Sequence, residues 1–415
     1  MKKLLSLLLA AALICTFAAG CGQEQEPVTT QPPATVAATE WVLENAPEEK
    51  KYDGVELTFL SSWAEDAAEA GVLSQAAELF EATTGASVRI QWQTGEYAGG
   101  DIFQMPGVAL ADNYRDRVLD LTEMAQAAGY ESKSLECLTD QVISRSGTLN
   151  CIPQTPYASG IYYNQQAFEA CGIAKMPRTY EEFLNVCAAL AAGGYSPLTL
   201  DSESADELLM MHLTQYLGTQ AAAKVAAKGG WTENEQILQA TVDIREFVKA
   251  GYLALGTPAA SPAGQNRIGL SNSAMIYGTN SICAQVEENT MTELSWGMFP
   301  YPGVGGAESV ISVDADVLAI SADCKNAQAA FDFIMLLVTG EFDQLRADIT
   351  NGIPADPSNT SPVAGAIEAM QITQVIECAQ AEFDEQQMSA ILKLWQGKYK
   401  ENTAFVEAMD KLYVK

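Results

Sequence analysis

Ile152-Pro153-Gln154-Thr155-Pro156-Tyr157-Ala158-Ser159-Gly160-Ile161-Tyr162-Tyr163-Asn164 is the stretch on which the reading of this 415-residue chain turns. Ser159 to Tyr163 reads as a strand, which puts Tyr162 and Tyr163 on opposite faces. Adjacent tyrosines also suit a ferric phenolate pair, but the β propensity of Tyr favours the strand. Gln165 to Ala170 follows as a short helix ended by Gly172. The next helix opens with a capping-box pair, Thr179 and Glu182, and carries Phe183, Cys187 and Leu190 on one face.

The pattern continues on both sides of this segment. Val55-Glu56-Leu57-Thr58-Phe59 alternates as a strand, and Leu73, Ala77 and Phe80 follow at helical spacing up to Gly85. Ser87 to Trp92 alternates again, so strand, helix and strand imply a parallel βαβ unit. Further on, Asn326 caps a helix with Ala330, Ile334 and Leu337 as its buried stripe, ended by Gly340. A chain of this length normally needs more than one core, so two lobes are expected. No Pro/Gly-rich linker and no internal repeat is present, so the lobes are joined by strands that cross between them.

Composition excludes several functions. Hydrophobic residues make up 48% and charged residues 18%, as in an ordinary globular protein. The formal net charge is −30, which repels nucleic-acid phosphates and anionic headgroups, so no nucleic acid is expected as a partner. His212 is the one histidine, and no CxxC pair replaces the missing imidazoles, so no metal site is expected. Cys137, Cys151, Cys171, Cys187, Cys283, Cys324 and Cys378 are irregularly spaced. Most read as buried free thiols, and Cys137 with Cys151 is the one pair worth testing as a disulfide.

The N-terminus sets the compartment. Met1-Lys2-Lys3, the apolar run from Leu4 to Ala12 and the small residues Ala18-Ala19-Gly20 follow the order of an export signal over residues 1–20. Phe17-Ala18-Ala19-Gly20-Cys21 resembles the bacterial lipoprotein cleavage box, in which the cysteine is acylated and becomes the first mature residue. Residues 21–52 then read as the lipidated N-terminus and a tether. Its polar part, Gly22 to Thr39, reaches roughly 50–60 Å when extended.

Catalytic signatures are missing. GxxxxGK[ST], GxGxxG, HExxH and GxSxG do not occur. Asp314-Ala315-Asp316 begins like a calcium loop but lacks its glycine and later glutamate. Acidic pairs are too common in so acidic a chain to mark a glycosidase dyad. No cofactor is expected, and the chain is read as not an enzyme.

Ile152 to Asn164, followed by Phe168, Gly172-Ile173, Pro177, Thr179 and Glu182-Phe183, resembles the signature of family 1 extracellular solute-binding proteins of ABC importers. Further matches run in order: Gly100 to Phe103 with Leu119 to Thr122, Ala274-Met275-Ile276, Trp296-Gly297 with Phe299 to Gly303, Gly352 to Asp356, and Gln396 to Tyr399. The likeness covers about residues 53–415. It implies an α/β, two-lobe periplasmic-binding-protein-like fold of type II, with crossing strands, a hinge and an interlobe cleft. The N-lobe would be 53–157 plus 316–354 and the C-lobe 158–315 plus 355–415. The implied role is to capture a carbohydrate at the outer face of the cell membrane and deliver it to two permease subunits and a cytosolic ATPase. Cys21 would be the lipid anchor and the protein a monomer. Alternatives are a polyamine or peptide binder, an adhesin and a secreted glycan-active enzyme.

A sugar site needs an aromatic platform with amide, carboxylate and hydroxyl partners. Carried over from the family, Trp63 is either a stacking platform or a core residue, with Glu65 or Asp66 accepting from ligand hydroxyls. Gln104, Tyr157 and Ser159 are hydrogen-bonding candidates, Tyr157 foremost. Asn280 stands where many family members have tryptophan, which argues against a long maltose-like ligand. Tyr277 or Trp231 would compensate, unless Trp231 is only a structural staple. Tyr301 and Asp314 complete the set, while Asp101 is read as capping local backbone.

Overall fold

The computed structural model describes residues 49–372, 374–376 and 382–413. The leader, Cys21, most of the tether and Cys378 lie outside them. Among the described residues there are nine strands: β1 (Glu56–Leu60), β2 (Ser87–Gln91), β3 (Ile102–Met105), β4 (Ile152–Asn164), β5 (Ser196–Thr199), β6 (Ser273–Gly278), β7 (Trp296–Phe299), β8 (Val310–Ile320) and β9 (Gln374–Ile376). They pair in the order β2-β1-β3-β8-β4-β6-β5, with β7 added on β4 and β9 on β8.

The βαβ unit forms as its alternation requires. β1 and β2 are parallel, from Glu56 opposite Ser87 to Leu60 opposite Gln91. The helix Ala68–Thr84 joins them and buries Leu73, Ala77 and Phe80. It ends at Gly85, which takes a left-handed φ of 83° and donates its N–H to Glu81 O, a conformation a side chain would oppose. Asp101 accepts the Thr58 amide at 2.8 Å, the local capping role read for it. The capping box is present too: the Glu182 amide donates to Thr179 Oγ1 at 3.2 Å and the Thr179 amide to Glu182 Oε2 at 3.3 Å, opening the helix Tyr180–Ala192.

The sheet turns on β4, which is longer than the alternation alone suggests. Its prolines mask the first half: Pro cannot donate to a ladder, and a register shift follows Pro153, while Pro156 sits in register opposite Ala315. From Ile152 to Ser159 it runs antiparallel to β8. From Gly160 onward it pairs with β6 and β7. β8 is shared in the same way, with β3 at its C-terminal end and β9 at its N-terminal end. Two crossing strands therefore stitch the sheet halves together.

Two hydrophobic cores flank this seam. One gathers Leu57, Phe59, Phe80, Phe103, Phe333 and Ile334, with Phe59 and Phe333 edge-to-face at 6.1 Å. The other gathers Phe168, Phe183, Phe247, Trp395 and Phe405. Tyr162 belongs to the first and Tyr163 to the second, the opposite-face placement that a strand dictates. Three local expectations are corrected. The helix Ala327–Val338 buries Ala330, Ile334 and Leu337, but Asn326 makes no side-chain cap, and the helix stops at an extended Thr339. Gly340 starts the next helix, Gly340–Thr350. Cys137 and Cys151 are both free thiols, so the suggested disulfide is absent. No helix among the described residues is long and apolar enough to cross a membrane.

Gly297 tests the seam. It pairs with Tyr163, and a Cβ there would lie 2.2 Å from Tyr163 Cζ. That ring cannot retreat, because it packs on Phe168 at 4.2 Å between centroids. Gly297→Ala is expected to destabilise the protein by about 1–3 kcal/mol. Thermal melting checks this, and shortening the facing side chain with Tyr163→Leu should make the same glycine change milder.

Candidate functional site

The crossing strands form the floor of a cleft of about 750 Å³, within the roughly 300–1,000 Å³ usual for small-molecule sites. Tyr157 and Ser159 rise from β4; Ser312 and Asp314 rise from β8 directly opposite them, Ser159 facing Ser312 and Tyr157 facing Asp314. Residues two apart on a strand share a face, so the ladder that joins the halves also aims four polar side chains into one space. Gln141 and Arg145, on the helix Glu136–Ser146, form one wall. Asp206 and Glu207, in the first turn of the helix Ala205–Leu217, and Gln220, on Thr219–Lys228, form the other.

The cleft is acidic. Glu203, Asp206, Glu207 and Asp314 line it against the single guanidinium of Arg145. Burial pushes the Glu207 carboxyl above its ordinary range, and Asp206 beside it adds to this while the nearby Ser159 and Tyr277 hydroxyls counter it. Asp206 is raised by burial as well. Asp314 accepts the Val108 amide at 3.0 Å and its neighbour Ala315's at 2.8 Å. Tyr157 donates its phenol hydrogen to Asp316 at 2.9 Å. Burial lifts Asp316 to about 6, although hydrogen bonds from Tyr157 and Trp63 pull the other way.

The structure gathers some of the expected residues and disperses others. Tyr157, Ser159 and Asp314 line the cleft. Trp63 packs partly buried against the first core, outside the cleft lining and beside Asp316. Gln104 is buried beneath the floor, accepting from Ser61 Oγ at 2.7 Å and donating to Gln154 Oε1 at 2.7 Å. Asn280 is buried and its Oδ1 accepts the Ala158 amide at 3.0 Å, so it braces β4 while its neighbour Thr279 faces the cavity. Glu65 and Asp66 are exposed on the loop before the helix Ala68–Thr84, outside the cleft lining.

Three aromatics stand in the second core. Trp231 is fully buried against Phe405 at 5.6 Å, a core position out of reach of a solute in the cleft. Tyr301 is buried and its hydroxyl meets His212 Nδ1 at 2.7 Å. Tyr277 is fully buried and acts one layer below the cleft, on Glu207. Sequence reasoning missed Arg145, Asp206, Glu207, Gln220 and Asp316. The run Asp201-Ser202-Glu203-Ser204-Ala205-Asp206-Glu207 was the available signal, but an acidic helix start reads equally well as a solvated N-terminal turn.

A family model described as bacterial extracellular solute-binding protein matches residues 80–366. No curated protein sequence matches the chain. Among solved structures, a chitin oligosaccharide binding protein is 21% identical, with a TM-score of 0.59 over 87% of this chain and 98% of that one. The solute-binding protein RafE in complex with raffinose is 16% identical, with a TM-score of 0.62 over 86% and 98%. A sugar transporter structure from Bacillus licheniformis in complex with stachyose is 15% identical, with a TM-score of 0.55 over 86% and 99%. At these identities the likeness carries the fold: two lobes of the periplasmic-binding-protein type.

The acidic floor has a measurable consequence for stability. Asp316 has an ordinary carboxyl value of 3.8 that rises to about 6 in the fold. A raised carboxyl favours the folded state only while protonated, so its contribution is complete below the unfolded value and lost as pH rises to about 6. Asp316→Asn, which carries no charge, is therefore expected to melt higher than the parent above pH 6, by on the order of 1–3 kcal/mol. The gain should vanish near pH 4. Melting curves from pH 4 to 8 check it; a mutant that gains equally at every pH would contradict the assignment.

Proposed function

The chain belongs to the bacterial extracellular solute-binding protein family, and we propose that it captures a mono- or oligosaccharide in the interlobe cleft and delivers it to two membrane permease subunits served by a cytosolic ATPase. The family is one of binding proteins, not enzymes, and it works outside the cytoplasm. The chain's task is then non-covalent capture and release.

The observation that carries the sugar reading is the floor of the cleft. Tyr157 offers an aromatic surface and an oxygen, flanked by Ser159, Ser312, Asp314 and Glu207. Sugars present apolar C–H faces beside many hydroxyls, and buried carboxylates and hydroxyls are the acceptors those hydroxyls need once water leaves. The chitin oligosaccharide binding protein and the raffinose and stachyose complexes that share this fold support the same class. Closure would bend the crossing strands between a lobe of residues 53–157 plus 316–354 and one of 158–315 plus 355–415, with Gly160 at the change of sheet partner. The monomer is the working unit, tethered at the outer face of the membrane through a lipid on Cys21.

One observation favours a second reading. Four carboxylates against one guanidinium also suit a cation, so spermidine belongs in the same test. A thermal-shift panel of chitotriose, raffinose, stachyose, xylotriose and spermidine should show at least one saccharide raising the melting temperature. The shift should correspond to about 2.7 kcal/mol at a hundredfold excess over its Kd. Stabilisation by spermidine and by no saccharide would remove the sugar and keep the binder. For the anchor, Cys21→Ser should move the protein from the membrane fraction to the culture medium; unchanged fractionation would remove the lipid.

A further inference from the structure

Tyr157 has one hydrogen to give, and it is already engaged: the phenol donates to Asp316 Oδ2 at 2.9 Å. Asp316 is buried on β8, where the Trp63 side chain also donates to it. An ionised carboxylate only accepts, so the pair has a single orientation. The phenolic oxygen is left with its lone pairs for the cavity that Tyr157 lines. We infer that Asp316 is a positioning residue of the cleft, fixing Tyr157 as a hydrogen-bond acceptor so that the captured solute must place a donating hydroxyl against it. This rests on the reading of the cleft as the solute site.

The orientation is tied to charge. Protonated Asp316 holds a hydrogen of its own and can donate it to the Tyr157 oxygen, which releases the phenol hydrogen toward the cavity and turns the acceptor into a donor. The groups facing Asp316 come from several elements. They are Tyr157 on β4, Trp63 after β1, Asp314 on β8, Arg346 on the helix Gly340–Thr350 and Tyr97 on the loop before β3. Arg346 is itself held by Asp343 at 2.7 Å. Burial outweighs them all and leaves the carboxyl at about 6, so the switch lies just below neutral pH.

Two measurements test this. The first is the Kd of the best-binding saccharide among chitotriose, raffinose, stachyose and xylotriose, for wild type, Asp316→Asn, Tyr157→Phe and the double variant. At pH 7.5 Asp316→Asn should weaken binding about tenfold, and should add less than about twofold once Tyr157 is Phe, because it acts through that phenol. At pH 5, where wild-type Asp316 is itself neutral, its penalty should shrink to within about twofold. Glu207 and Asp206 titrate in both proteins and drop out of this ratio. Penalties that multiply in the double variant, or that are equal at both pH values, overturn the inference.

The second measurement needs no ligand. Trp63 emission, assigned by its loss in Trp63→Phe, should titrate near pH 6 in wild type, shift upward in Tyr157→Phe and vanish in Asp316→Asn. A transition that survives Asp316→Asn overturns the inference. If no panel saccharide binds, the sugar reading falls and this titration alone decides the role of Asp316.

Discussion

The ladder between β4 and β8 is the constraint on which the rest of the structure depends. Each strand serves two neighbourhoods: β4 leaves β8 for β6 and β7 after Ser159, and β8 passes from β9 to β3. Because register in a sheet fixes which side chains share a face, pairing Tyr157 with Asp314 and Ser159 with Ser312 places the floor of the cleft and the joint between the halves in the same residues. A slip of one position would send Tyr157 to the opposite face and remove the floor. The one register shift in this ladder, between Pro153 and Thr155, falls before the residues that line the cavity, and pairing is regular from Thr155 to Ser159.

The floor sits in an unfavourable environment. Asp316 and Glu207 are carboxyls that burial disfavours in their charged forms, and neither pairs with a cation among the described residues; Asp316 accepts the Tyr157 hydroxyl instead. Such groups lower stability at neutral pH, and an apolar replacement would fold more readily. Their value lies in the oxygens they control: Asp316 orients the hydroxyl of Tyr157, which a solvated surface acid could not do. Stability given up at a binding site in this way is a familiar exchange.

How much of this was legible in the sequence follows the range of the interaction. The βαβ unit, the Gly85 terminus and the Thr179–Glu182 capping box were readable because each is set by residues a few positions apart. The first half of β4 was not readable from alternation, since its prolines mask a strand that only a partner 160 residues away reveals. The site was half legible. Of the expected residues that line the cavity, Tyr157 and Ser159 lie on the matched stretch 152–164 and Asp314 does not, whereas Trp231, Tyr277 and Tyr301 are aromatic for the reason most aromatics are, which is to fill a core. Asp206 and Glu207 look like any acidic helix start until the fold turns that start toward the cleft.

Beyond the crossing strands the chain is pinned on both sides. Asp343 accepts from Arg346 Nη2, from the amides of Ala355 and Asp356 and from Asn359 Nδ2, and Arg346 also donates to Ile353 O at 2.9 Å. The segment leaving β8 is therefore locked to the first core by a buried ion pair whose carboxylate is also filled by amides, although the Arg346 Nε and Nη1 make no hydrogen bond among the described residues. On the other side the Trp395 indole donates to Ala205 O at 2.9 Å, tying the C-terminal helices to the start of the helix that carries Asp206 and Glu207. Each half is thus braced by its own buried contacts up to the ladder, where β4 passes from β8 to β6 at Gly160. The strands that join the halves therefore also hold Tyr157 and Ser159 in one cavity with Glu207.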